Sequence, residues 1–211
     1  LKGGKLRIQA QPAEQLMCAR NTLTQRVIGP QSITTVELSV KGLKAGDVAG
    51  LGNINVPCSW IGIVMNNNTK SYTLRCFEQL TNDTIDTQVT LPKGKIWLRS
   101  IGDYDNDQAQ YAYSTDGTVF HTLGRMMPLS YQLISFQGSR HTLFAFNVNG
   151  KNGVYAEFDN FTVEEPCADR SKNIPFGKTF RIINKATNRP AVCDPHGILY
   201  DTHTGDKSQR T

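Results

Sequence analysis

Residues 111–124 read YAYSTDGTVFHTLG. Two runs rich in aromatic and β-branched side chains flank Asp116 and Gly117, and an Asp-Gly pair supplies the positive φ values of a two-residue type I′ turn. The stretch predicts a β-hairpin joining 111–114 to 118–123, with Tyr111 and Tyr113 as packing residues. Similar short runs, divided by Gly, Asn, Asp or Pro, occur at 5–9, 32–40, 60–65, 71–77, 95–100, 109–114, 131–137, 142–147 and 154–163. About ten strands without a long stretch of helical periodicity mean an all-β sandwich or barrel.

Within these strands, side chains at i and i+2 share a face. Ile61, Ile63 and Met65 oppose Trp60, Gly62 and Val64, while Ile96 and Leu98 oppose Trp97 and Arg99. If the aliphatic sets form the core, then Trp60, Trp97 and Arg99 point outward. An outward tryptophan is unfavourable unless something covers it, whether a ligand, a loop or a neighbouring domain.

The hairpin is not the Asp box of a sialidase propeller. That motif spaces its residues as Ser-x-Asp-x-Gly-x-Thr-Trp, whereas Gly117 follows Asp116 directly. A catalytic carboxylate pair for glycoside hydrolysis is not legible either. Glu157 and Asp159 share a strand face at i and i+2, and Asp103, Asp105 and Asp107 read as a polar turn lacking the glycine and distal glutamate of a calcium loop. There is no Gly-x-Ser-x-Gly, His-Glu-x-x-His or P-loop, and the four histidines are dispersed, which disfavours an activity intrinsic to this chain.

The formal charge of +5 is spread over single Lys and Arg residues without a basic run, so no nucleic-acid partner is expected. No apolar stretch is long enough for a membrane-spanning helix. The opening residues carry no signal peptide h-region and read as the middle of a longer protein. The five cysteines have no zinc-type spacing and their odd number excludes complete pairing; they read as mostly free thiols, with one disulfide compatible with export. Composition turns polar at EEPCADRSK, residues 164–172, which divides a sandwich (1–166) from a linker (167–177) and a β-rich extension (178–211) with strand-like runs at 179–184 and 198–201. Some forty residues are too few to bury an independent core.

The segment ARNTLTQRVIGPQSITTVELSV (19–40) followed by LKAGDVAGL (43–51) resembles the start of the β-sandwich appended to glycoside hydrolase family 43 β-xylosidases and arabinofuranosidases. The matching positions are Arg20, Asn21, Leu23 and Arg26, then Gly29 and Pro30, then Gly46, Asp47, Ala49, Gly50 and Leu51. SWIGI, KIWLRS, YAYSTDGTVFHTLG and GVYAEFDNFTVEE continue the likeness in order to about residue 165. The resemblance implies a concanavalin A-like jelly roll of two antiparallel sheets, one of them concave. In that family the catalytic carboxylates lie on a separate five-bladed propeller, against which the sandwich packs. A structural calcium against Asp159 would suit this type of jelly roll. The tail FRIINKATNRPAVCD (180–194) is similar to the first hairpin of a β-trefoil lectin repeat.

The expected function is a non-catalytic carbohydrate-binding or accessory domain of an exported, extracellular or periplasmic enzyme that degrades xylan or arabinoxylan. Arg26, Trp60, Trp97 and Arg99 are the expected ligand contacts, a ring to stack on a pyranose face and guanidinium groups to bind hydroxyls. Arg26 has an alternative role, pairing with Asp47. The competing expectation is a structural module that packs on a catalytic propeller and binds no sugar. A stand-alone hydrolase of the same superfamily would need a Glu-x-Asp-x-x-Glu strand, and none is present.

Overall fold

The computed structural model describes residues 3–67, 71–91, 93–129, 135, 137–166, 181–193 and 199–201. The chain divides into two compact units, Leu1–Ala168 and Asp169–Thr211.

The first unit is a β-sandwich. Its back sheet runs in spatial order β1 (Leu6–Gln9), β13 (Tyr155–Glu164), β4 (Gln31–Ser39), β9 (Lys95–Asp103), β10 (Gln108–Ser114) and β11 (His121–Pro128), every pair antiparallel. The front sheet runs β12 (Arg140–Asn147), β5 (Asp47–Ile54), β6 (Ser59–Met65), β7 (Tyr72–Glu78) and β8 (Asp83–Thr87), also antiparallel. The outer edge of β12 is shared by β3 (Leu23–Arg26), antiparallel, and the two-residue β2 (Gln11–Pro12), parallel. Two such sheets face to face make the expected concanavalin A-like jelly roll.

The alternation in β9 holds along its whole length: Ile96, Leu98, Ser100 and Gly102 are buried, and Trp97, Arg99 and Ile101 are half-buried on the opposite face. Ile96, Leu98, Val36, Leu38, Tyr111 and Phe158 from the back sheet meet Leu51, Ile61, Ile63 and Leu74 from the front sheet in one core. Each such aliphatic side chain contributes about 1.5–3 kcal/mol by leaving water. Tyr111 bridges the sheets: its hydroxyl donates to the Ser59 carbonyl at 2.8 Å and accepts from Asn53 Nδ2 at 3.0 Å. Burial pushes its phenol pKa up, so it stays a neutral donor.

The Gly-Asp-x-Ala-Gly-Leu stretch resolves into a buried anchor and a strand. Asp47 is wholly buried and accepts from Lys44 N at 2.9 Å and Asn147 Nδ2 at 2.7 Å, closing the turn that leads into β5. Strand β5 is absent from the sequence reading because its glycines depress β propensity. Their reason is a close approach: Gly50 faces Gly62 across the β5–β6 ladder, and a Cβ on Gly62 would lie 2.5 Å from the Ala49 carbonyl oxygen.

The predicted hairpin is present, but its turn is not type I′. Strand β10 ends at Ser114 and β11 begins at His121, so the connection is longer than two residues, and Asp116 does not have positive φ. The Asp116 carboxylate instead accepts from Thr118 N at 2.7 Å and Val119 N at 3.0 Å, while Ser114 Oγ accepts from Gly117 N at 2.9 Å. These backbone donors hold the Asp116 carboxyl well below its usual pKa. The strand expected at 131–137 lies outside the described residues except for Ser135 and Gln137.

In the second unit, β14 (Ile183–Asn184), β15 (Arg189–Cys193) and β16 (Leu199–Asp201) form an antiparallel meander. The linker expected at 167–177 lies outside the described residues.

Candidate functional site

The four expected ligand contacts do not converge. Trp97 and Arg99 share the outer face of the back sheet, Trp60 is on the outer face of the front sheet, and Arg26 is exposed on the edge strand β3. Nor does Arg26 pair with Asp47. It stands opposite Arg140 on β12 whereas Asp47 stands opposite Asn147, about 23 Å further along that strand.

On the back sheet, Trp97 and Arg99 are engaged within the chain. The hairpin connection folds over the Trp97 ring, with Gly117 (φ 83°) so close that a Cβ there would be 2.9 Å from Trp97 Cε2. Arg99 donates from Nε to Thr35 Oγ1 at 2.9 Å, and its guanidinium carbon lies 3.5 Å over the Phe120 ring. Beside them, Lys95 Nζ lies 2.5 Å from Glu37 Oε1. Asp159 stands opposite Glu37 on the next strand. The Glu37 hydrogen bond, with the fields of Glu37 and Asp159, raises the Lys95 pKa, so an ammonium stands beside Glu37 on this face. Glu157 is paired with Arg7, and Asp103 accepts from Asn106 Nδ2 at 2.7 Å in the predicted polar turn between β9 and β10. Among the described residues no three His, Cys, Asp or Glu side chains cluster to hold a metal.

The front sheet differs. Trp60 is only 5% exposed, which the outward reading did not anticipate. Its ring packs against Phe77 (centroids 5.6 Å apart, tilted) and Phe144 (5.4 Å, edge-on), and Phe144 stacks on Phe146 at 5.8 Å. Leu16, from a short 3₁₀ turn at Leu16–Cys18, joins this second apolar cluster outside the main core. Beside it opens a groove of about 310 Å³ with Trp60, Phe77, Phe146, Val48 and Val64 in its floor and Glu14, Gln15, Arg75, Asn82 and Thr84 around it. Arg75 is fixed by a two-pronged ion pair to Asp86, Nε to Oδ1 and Nη2 to Oδ2 both at 2.8 Å, which raises its pKa. An aromatic floor with a rim of amide, hydroxyl and guanidinium groups can take a flat polyhydroxylated ring.

Phe77, Arg75, Asn82 and Thr84 are absent from the sequence reading. Strand 71–77 is legible, and Arg75 and Phe77 alternate there with Leu74 and Cys76. The missing signal is β8, Asp-Thr-Ile-Asp-Thr, too polar to read as a strand, which places Thr84 opposite Phe77 and Asp86 opposite Arg75. Cys58 and Cys76 are buried free thiols whose pKa burial pushes up to about 12, and Cys18 is a free thiol at the surface. No helix among the described residues is long and apolar enough to cross a membrane.

Comparison with known proteins agrees with this architecture. A Xylanibacter ruminicola protein provisionally named a β-xylosidase is 26% identical over 130 residues, 60% of this chain and 22% of its own length. The solved structure of a bifunctional GH43-CE protein of Bacteroides eggerthii superposes with a TM-score of 0.71 at 26% identity, covering 80% of this chain and 22% of that one. A GH43 glycoside hydrolase engineered to display both endo-xylanase and exo-arabinofuranosidase activity has the same fold, with a TM-score of 0.70 at 22% identity over 78% of this chain and 35% of that one. The chain thus spans about a fifth to a third of these relatives. Residues 1–164 match the model of the β-xylosidase C-terminal concanavalin A-like domain, and the chain belongs to that family.

Proposed function

We propose that this chain is the non-catalytic accessory sandwich of an exported family 43 glycoside hydrolase that degrades xylan or arabinoxylan, and that it holds the polysaccharide in the groove beside Trp60. The observation that carries this reading is the groove itself: an aromatic floor of Trp60, Phe77 and Phe146 with Arg75, Asn82 and Thr84 at its margin. Phe77 is half-buried and offers the accessible ring, while the Asp86 ion pair holds Arg75 in place without ordering cost on binding.

The test is affinity electrophoresis and calorimetry of the chain against xylan, arabinoxylan, arabinan and cellulose. Retention by xylan or arabinoxylan is expected, weakened at least tenfold in Phe77→Ala and Arg75→Ala with the circular dichroism unchanged. A folded chain that none of the four retains would sink the sugar-binding reading. It would leave the second one, a structural module packing on a catalytic domain. Trp97 and Arg99 are committed to contacts inside the chain and are offered to neither role.

A further inference from the structure

A second cavity, of about 330 Å³, opens on the flank of the sandwich where β1 and β13 approach β3 and β12. Its lining is mostly apolar, Leu6, Leu23, Leu143 and Phe161, with Thr24 and Gln25 at one side and one imidazole, His141. Leu23 is 52% exposed and Phe161 38%, so the apolar mouth faces outward. Phe161 owes its position to a bulge in β13. The register with β4 slips between Asp159 and Thr162, and Asn160 adopts φ 51°. Bulges of this kind re-aim a side chain out of the ladder.

His141 is 1% exposed. Its Nε2 lies 2.8 Å from Oγ of Ser32, which is itself wholly buried, and its Nδ1 is buried with no hydrogen-bond partner. Leaving such a group unsatisfied costs about 1–3 kcal/mol, and native interiors rarely tolerate it without cause. The ligand group can be narrowed further. If the Ser32 hydroxyl donates to Nε2, then Nδ1 carries the proton and needs an acceptor; if Nε2 donates to Ser32, Nδ1 needs a donor. A hydroxyl answers either tautomer, since it both donates and accepts. The mostly apolar lining disfavours a bare sugar ring, most of whose hydroxyls would lose water against Leu6, Leu143 and Phe161. What fits is a largely apolar body with one hydroxyl.

We propose that this cleft binds a hydroxylated aryl substituent of the polysaccharide, of the phenolic-acid ester type, with its ring among Leu6, Leu143 and Phe161 and its hydroxyl on His141. The proposal rests on the reading of the chain as a polysaccharide-binding domain, and adds a second contact for the decorated chain apart from the Trp60 groove.

The experiment titrates the 211-residue chain with methyl 4-hydroxy-3-methoxycinnamate and with its 4-methoxy analogue, following heat and the histidine imidazole resonances. The hydroxylated ester is expected to bind one to one and shift the His141 signals, with the methoxy analogue at least tenfold weaker. Leu23→Glu, a change at an exposed position, should abolish binding, and His141→Phe should remove the tenfold preference. If His141→Phe does not fold, the two analogues and Leu23→Glu still decide. Phe77→Ala should leave ester binding unchanged, and a native chain that binds the ester while none of the four polysaccharides retains it breaks the earlier reading alone. Equal affinity for the two esters, no response at His141, or a dimer that buries Leu23 and Phe161 and blocks the ester would overturn the proposal.

Discussion

The two tryptophans of this domain stand on equivalent positions of opposite sheets, each outward of an aliphatic core strand, and they meet different ends. Trp60 is enclosed by rings of its own sheet and by Leu16, so that it becomes the base of a groove. Trp97 stays half-buried under a hairpin connection, beside Arg99 and Phe120. The difference teaches that alternation assigns a face and nothing more. What then covers the face depends on neighbours far away in the chain, and these decide whether an outward aromatic is a foundation, a lid contact or a binding surface.

The largest expected effect sharpens that contrast. Trp60→Ala empties the centre of a closed aromatic cluster and should destabilise by about 3–5 kcal/mol. Trp97→Ala removes a ring that is still partly solvated and should cost about 1–2 kcal/mol, because less area returns to water. Urea unfolding of the two variants measures both. Equal losses would mean that the hairpin buries Trp97 as completely as the front cluster buries Trp60, and the comparison would fail. For the same reason Trp60→Ala is a poor probe of sugar binding, and Phe77→Ala is the better one.

A somewhat smaller effect tests the seam between the two sheets, where His141 is buried. Desolvation lowers its pKa to about 4, against about 6.5 for the unfolded chain. The folded state therefore binds this proton more weakly than the unfolded state does. Its contribution is complete above about pH 6.5 and is lost as pH falls toward 4, by up to about 3 kcal/mol. Unfolding midpoints between pH 7 and 4, compared for the native chain and a folded His141→Phe variant, isolate this part from the buried carboxylates. Parallel pH profiles would show that the imidazole is wet.

Much of the sandwich was legible because its core strands obey a period of two, as 95–100 and 60–65 do. The parts that were not legible have physical causes. Strand β5 is written in glycines that the close β5–β6 backbone approach demands, and those same glycines look like loop. Strands β3 and β8 are polar because one is an exposed edge and the other lies at the end of the sheet. Asp116-Gly117 reads as a two-residue turn from local chemistry, but Asp116 caps a longer connection whose length is set by the need to reach across Trp97. The candidate groove suffered most. Its floor comes from β5, β6, β7 and β12, and its margin from β7, the β7–β8 turn, β8 and the segment before the 3₁₀ turn, and no local pattern announces that these meet.

The smallest expected effect addresses the covered face directly. Arg99 lies 3.5 Å over Phe120 while its Nε is held by Thr35, and both residues are half-buried. A partly solvated cation–π pair of this kind is worth about 0.5–1 kcal/mol. A double-mutant cycle with Arg99→Met and Phe120→Leu should return a coupling of that size, since methionine keeps the packing and removes the charge. The same variants carry a second readout that stability alone would not give. If the back face is covered by its own hairpin, Arg99→Met leaves retention by xylan and arabinoxylan unchanged while Phe77→Ala weakens it. Were Arg99→Met to weaken retention instead, the hairpin would have to open for the polysaccharide, and the roles of the two tryptophans would be exchanged.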